Sequence, residues 1–154
     1  MIKSHLLYYS EPAEKNSIPI LDVFLDKHEV SGFKSIRVDW AGGGIVSTTE
    51  DLLLFHKALV NNTLINKETF DLCMKDAGRF GMDYRYGILS FNIGKMTIVQ
   101  PKELNMWRNF GSIGACMFYN PAYDVYIIGS FSHSYYIRKQ VRFIINIIRK
   151  LSKM

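Results

Sequence analysis

The sequence predicts an α+β fold, an antiparallel β-sheet with flanking helices. Three observations carry that prediction. Apolar residues repeat at helical spacing across 47–75, then at a spacing of two after Gly78, then at helical spacing again to the C-terminus. Turn-forming clusters divide the period-two region into hairpin-length pieces. Tyr and Phe supply most of an aromatic content of 14%, which favours sheet. At 154 residues the chain is the size of one domain, 1–154, and buries roughly 70% of the surface its unfolded form exposes.

In chain order, residues 1–40 are mostly irregular, mixing turn formers with short apolar pieces. The alternation of "FKSIRVDW" (33–40) predicts a short strand. A helix follows, with Ser47 and Glu50 in capping-box spacing and Leu52, Phe55 and Leu59 as its apolar repeat. Asn61-Asn62 ends it. Asn66 caps a second helix over 66–75, with Phe70, Cys73 and Met74 facing inward. Segments 84–94 and 95–100 read as a hairpin turning at Ile93-Gly94-Lys95. Residues 105–111 form a further strand, and 114–132 a second hairpin around Asn120-Pro121-Ala122-Tyr123-Asp124. The last helix puts Ile137, Val141, Ile144, Ile145, Ile148 and Leu151 on one face, laid across the sheet. Its other side is basic, through Arg138, Lys139, Arg142, Arg149, Lys150 and Lys153.

Several function classes fall away. The formal charge of +5 comes without a helix-turn-helix, zinc-finger or aromatic-platform signature, so nucleic acid is not an expected partner. Cys73 and Cys116 fit no Cys-x-x-Cys pattern and read as two buried thiols. His5, His28, His56 and His133 share no metal-ligand spacing, so neither a metal nor another cofactor is expected. No apolar stretch reaches the ~18 residues of a membrane span. The first residues lack a basic start followed by an apolar stretch. A soluble chain without an address is the expectation, and a membrane partner is not.

The segment "DWAGGGIVSTTEDLLLFHKAL" (39–59) places three glycines before a helix start. A phosphate cradle of the Walker type needs a Lys directly after its glycines, and Ile45-Val46 stand there instead. The glycine segment, the Tyr86-Gly87 strand opening and the stretch from Gly111 to Pro121 come in an ordered set. That set resembles the C-terminal half of the serine β-lactamase-like hydrolases, the family of class C β-lactamases, D-Ala-D-Ala carboxypeptidases and related esterases. The resemblance covers most of 39–150. It implies a partial β-lactamase/transpeptidase-like fold lacking the nucleophile-bearing part. It also implies that the glycines border a substrate cleft, where a bulky backbone would block the ligand.

The family's chemistry uses a Ser-x-x-Lys on a helix, a Tyr-x-Asn box, and a Lys or His followed by Ser or Thr and Gly on the sheet's edge strand. The one literal Ser-x-x-Lys here is Ser31-Gly32-Phe33-Lys34, in a stretch whose alternation favours a strand. Residues three apart on a strand point to opposite faces, so Lys34 would not activate Ser31. Neither this pair nor Tyr8-Tyr9-Ser10 serves, and no catalytic residue is assigned. The third box survives as Asn109-Phe110-Gly111, with Ser112 where the family offers an oxyanion-hole N–H. Asn carries no positive charge for a substrate carboxylate. The resemblance implies Trp40, Gly42, Gly43, Asn109, Phe110, Gly111 and Ser112 as substrate-binding residues, for a small peptide, β-lactam or ester. A separately supplied N-terminal half, or a second copy of the chain, is the expected protein partner. A non-catalytic binding module using the same cleft is the alternative, and a peripheral membrane protein using the basic, amphipathic C-terminal helix is a weaker third reading.

Overall fold

The computed structural model describes residues 5–6, 21–33, 43, 45–74, 82–85, 87–91 and 106–154. Their centre is a five-stranded antiparallel sheet, β5 (Met82–Arg85), β6 (Ile88–Phe91), β7 (Met106–Phe110), β8 (Ala115–Asn120) and β9 (Val125–Ser130), in that spatial order. Every neighbour in the sheet is also the neighbour in sequence, so the sheet is a simple meander. Two small ladders precede it. β1 (His5–Leu6) pairs with β4 (Ile45–Val46), and β2 (Phe24–Leu25) pairs with β3 (His28–Glu29). The α+β class is therefore observed.

The helices lie on the two faces of this sheet. α1 (Thr49–Val60) and α2 (Lys67–Met74) occupy one, and α3 (Ile137–Leu151) occupies the other. Strand alternation explains the division. On β8, Cys116 and Phe118 point to α3 and, with Met106, form a buried cluster with Ile144 and Ile148. Val141, Ile145 and Leu151 pack around that cluster, as the helical spacing predicts. Tyr119, next along β8, points to the opposite face and meets Trp107 and Tyr126. Cys73 and Cys116 are both buried.

α1 starts one residue later than the sequence predicts. Thr48, in extended conformation, is the N-cap, and its side chain accepts the Asp51 N–H at 3.2 Å. The capping spacing is thus Thr48 to Asp51, not Ser47 to Glu50. The Asn pair ends the helix as expected. Asn62 takes φ 58°, while the Thr63 N–H reaches Ala58 O at 2.9 Å and the Asn62 N–H reaches Leu59 O at 3.2 Å. Asn66 caps α2 by accepting the Thr69 N–H at 2.8 Å. Phe70 and Cys73 of α2 are buried, while the side chain of Met74 lies outside the described residues.

The apolar repeat on α1 is corrected too. Leu52 and Leu59 are half-buried, but Phe55 is exposed, and the fully buried residues of the helix are Asp51 and His56. The sheet face beneath presents tyrosine rings, against which an imidazole edge packs as well as an aliphatic chain.

The first large hairpin also differs. Arg85 pairs with Ile88, so the chain reverses across 86–87, where Gly87 takes φ 84°. A two-residue turn needs positive φ, and glycine supplies it without steric cost. What reads as one strand over 84–94 is instead split by that turn. The turn expected at 93–95 and the segment 95–100 lie outside the described residues. The second hairpin is as predicted, with Asn120 paired to Val125 and the Asn120 side chain accepting the Tyr123 N–H at 3.1 Å. The strand expected over 33–40 falls almost wholly outside the described residues.

Candidate functional site

β7 carries Asn109 and Phe110 and ends at a tight turn, Gly111-Ser112-Ile113-Gly114. The Gly114 N–H donates to Gly111 O at 3.0 Å, and the Gly111 N–H donates to Ala115 O at 2.8 Å. Gly114 has φ 76°, and a Cβ there would stand 3.2 Å from the Phe131 Cβ. Conformation and space both call for glycine at that position. Its carbonyl is held from two sides, by the Phe131 N–H at 3.1 Å and by the Gln140 side-chain amide of α3 at 2.6 Å. The end of the strand is thereby tied to β9 and to the closing helix.

Cross-strand pairing places Asn109 opposite Met117 and Trp107 opposite Tyr119. These four share the sheet face that α1 and α2 cover. Coverage runs out before Asn109. Phe70 of α2 packs on Trp107 at 4.7 Å between ring centroids, whereas Asn109 and Ser112 are exposed. Asn109 and Ser112 therefore bound an open shelf at one end of the sheet, beside the Phe70–Trp107 ring contact. Among the described residues, no backbone acceptor is paired with the Ser112 N–H.

The other expected site residues stand differently. Gly43 is half-buried and lies just ahead of β4, on a ladder separate from the main sheet. Trp40 and Gly42 lie outside the described residues, as does the Phe110 side chain, although the Phe110 backbone pairs with Cys116. β7 lies between β6 and β8, so the Asn109-Phe110-Gly111 box is on the middle strand and not on an edge as the resemblance implies. Ser31 sits in a turn after β3. Its hydroxyl accepts the Val23 N–H at 2.8 Å. Hydrogen bonding from Ser31, first from its side chain, holds the Glu29 carboxyl below its usual range. Ser31 thus clasps a small hairpin, and Lys34 lies outside the described residues.

One buried group escapes a reading based on apolar spacing. His56 is 4% exposed, edge-on to Tyr126 at 5.4 Å and Tyr119 at 6.3 Å. Among the described residues its buried Nδ1 has no hydrogen-bond partner. Burial pushes its pKa down from 6.5 to about 4, so the imidazole is neutral in this fold near neutral pH. Burial, with the hydrogen bond from Tyr119 to Asp124 at 3.0 Å, raises the Tyr119 hydroxyl to about 12. Tyr126 is raised for the same first reason. The only sequence sign of this cluster is that His56 lies one helical turn from Leu52 and from Val60. Among the described residues no group of His, Cys, Asp and Glu could hold a metal ion, and no helix is long and apolar enough to cross a membrane.

No family model, curated protein or solved structure matches the chain.

Proposed function

We propose that this chain is the cleft-forming C-terminal part of a serine β-lactamase-like hydrolase. In this reading it binds a small peptide, β-lactam or ester on the Asn109–Ser112 shelf and performs no Ser-Lys acyl transfer by itself. The observation that carries the reading is the shelf: an exposed amide at Asn109 and an N–H at Ser112, ahead of a glycine turn fixed by β9 and α3. That is the part of an acyl-transfer site that positions a carbonyl and supplies half of an oxyanion hole. Gly43, just ahead of β4 on a ladder separate from the main sheet, would border the opposite wall.

The proposal extends to a partner layer over α1 and α2. Leu54, Phe55 and Leu72 are exposed on these helices, and Leu64 on the loop between them, where a second layer would pack. A separately supplied N-terminal half, or a second copy, would cover them. If the chain is instead a binding module, the neutral amide of Asn109 suits an uncharged polar ligand better than a carboxylate.

Backbone amide NMR during titration with a β-lactam and with a D-Ala-D-Ala peptide tests the reading. The expected result is reversible shifts at Asn109, Gly111 and Ser112, with no covalent mass increase from a β-lactam or a fluorophosphonate. Shifts confined to residues remote from the shelf would refute it. Stoichiometric acylation of any serine would refute its non-catalytic part.

A further inference from the structure

The last acidic residue of the chain is Asp124, and six Lys or Arg follow it within α3 and its tail. All six are exposed: Arg138, Lys139, Arg142, Arg149, Lys150 and Lys153. Among the described residues none has an ion-pair partner. The apolar face of α3 is already spent on the sheet, since Ile144 and Ile148 are 1% and 0% exposed. Only the basic face remains to meet anything else. At 1.5 Å per residue it runs for about 22 Å.

Beside the N-terminal end of that face stands a cluster of aromatic rings that sequence periodicity does not show. Phe131, Tyr135 and Phe143 are exposed by 42%, 66% and 55%. They are joined through contacts of 6.4 Å between Phe131 and Phe143, 6.2 Å between Phe131 and Tyr136, and 5.6 Å between Tyr135 and Tyr136. Lys139 bridges the two features, with its ammonium 4.6 Å from the Tyr136 ring centre and 5.5 Å from that of Tyr135. The cluster adjoins the β2–β3 hairpin, where the Asp26 N–H donates to the Ser134 hydroxyl at 3.0 Å.

We propose that the basic face of α3 and this aromatic cluster together form a docking surface for an anionic lipid bilayer. The cations meet lipid headgroups, and Phe143, Phe131 and Tyr135 sit at the headgroup boundary, where amphipathic and aromatic rings are favoured. The arrangement of the rings selects lipid over single-stranded nucleic acid. Phe131 meets Phe143 at 89°, Tyr135 meets Tyr136 at 82° and Phe131 meets Tyr136 at a tilted 35°, so the rings form no set of parallel faces. Rings packed that way make no platform for stacked bases. The mode also differs from that of an inserted amphipathic helix, because α3 keeps its isoleucines in the core while its basic side binds. The cluster lies at the same end of the sheet as the Asn109–Ser112 shelf, across the sheet's thickness, through Phe131 and Gly114.

Co-sedimentation of the full chain with phosphatidylcholine vesicles, with and without about one-third phosphatidylglycerol, tests this at about 0.1 M and about 1 M salt. Binding is expected only to the anionic vesicles, and only at low salt. With about fivefold in partition coefficient for each surface cation, Lys139→Gln/Arg142→Gln/Lys150→Gln loses about a hundredfold. Phe143→Ala loses several-fold. Lys57→Gln/Lys67→Gln, on the opposite side of the sheet, binds like the wild type. All variants should melt cooperatively with circular dichroism like the wild type's, because the altered side chains are exposed. Equal binding to neutral vesicles, no vesicle binding at low salt, or full binding by either α3 variant would overturn the proposal. So would tighter binding to a single-stranded oligonucleotide at matched charge.

Discussion

The two faces of the sheet are built from one set of strands yet are chemically unlike. The α3 face closes over Met106, Cys116 and Phe118 with Ile144 and Ile148, side chains that bring no charge and no strong hydrogen-bonding group. The α1–α2 face closes over Trp107, Tyr119 and Tyr126 with Phe70 and His56. Its contacts run ring edge to ring face, and its polar atoms must be either satisfied or buried at a cost. Tyr119 is satisfied by Asp124, and among the described residues nothing satisfies His56 at Nδ1. A face of the first kind carries stability that pH does not touch. A face of the second kind ties stability to protonation, and it is the one that opens onto Asn109.

The largest effect should come from the apolar face. Ile148→Ala and Ile144→Ala remove buried methylenes from a cluster with little freedom to collapse, and each should cost about 2–5 kcal/mol in denaturant unfolding. The cost should be the same at pH 5 and pH 7, because nothing in that cluster titrates there. A loss below about half a kcal/mol at both sites would mean that α3 does not cover the sheet, and the contrast between the faces would collapse with it.

The aromatic face should give a smaller but pH-dependent term. The unfolded His56 titrates near 6.5 and the folded one near 4. Between those values the unfolded chain binds a proton that the folded chain refuses. His56 therefore leaves stability intact above about pH 6.5, removes it as pH falls toward 4, and removes no more below that. At roughly 1.4 kcal/mol per unit, the loss across the window is on the order of 3 kcal/mol. Unfolding free energies of the wild type and His56→Leu, measured from pH 4 to pH 7.5, should converge or cross as the acid limb is reached. Curves that stay parallel would show that the imidazole is as well solvated folded as unfolded.

The apolar face was legible in the sequence and the aromatic one was not, for a physical reason. Six apolar residues at helical spacing can bury themselves in only one way, so α3 follows from its pattern. The β8–β9 hairpin follows from turn chemistry at Asn120–Asp124. A histidine inside an apolar helix breaks no apolar period, however, and its burial depends on tyrosines some sixty residues away. The first hairpin misled because its turn falls at a glycine inside an alternating segment. Gly87 takes it with positive φ, while the segment around it still alternates like continuous strand. At the shelf, Asn109 to Ser112 could be located because they are contiguous. Whether Gly43 faces them depends on how separate ladders pack, which no local spacing encodes.

The smallest effect separates the two helices of the aromatic face from each other. Thr48 and Asn66 each accept a backbone N–H three residues on, at 3.2 Å and 2.8 Å. Replacing an N-cap with Ala typically costs about 1 kcal/mol, because an otherwise satisfied helical N–H loses its acceptor. α1 runs for 12 residues and carries His56 into the core, so weakening its first turn should destabilise the whole domain. α2 has only 8 residues, and an exposed Lys67–Asp71 pair adds a few tenths of a kcal/mol at most. Thr48→Ala should therefore lower global stability by about 1 kcal/mol. Asn66→Ala should instead raise local amide exchange across α2 and move the global melt less. Equal global losses would show that Phe70 and Trp107 fasten α2 into the same cooperative unit as α1. The aromatic face would then be one structure rather than a firm helix beside a looser one.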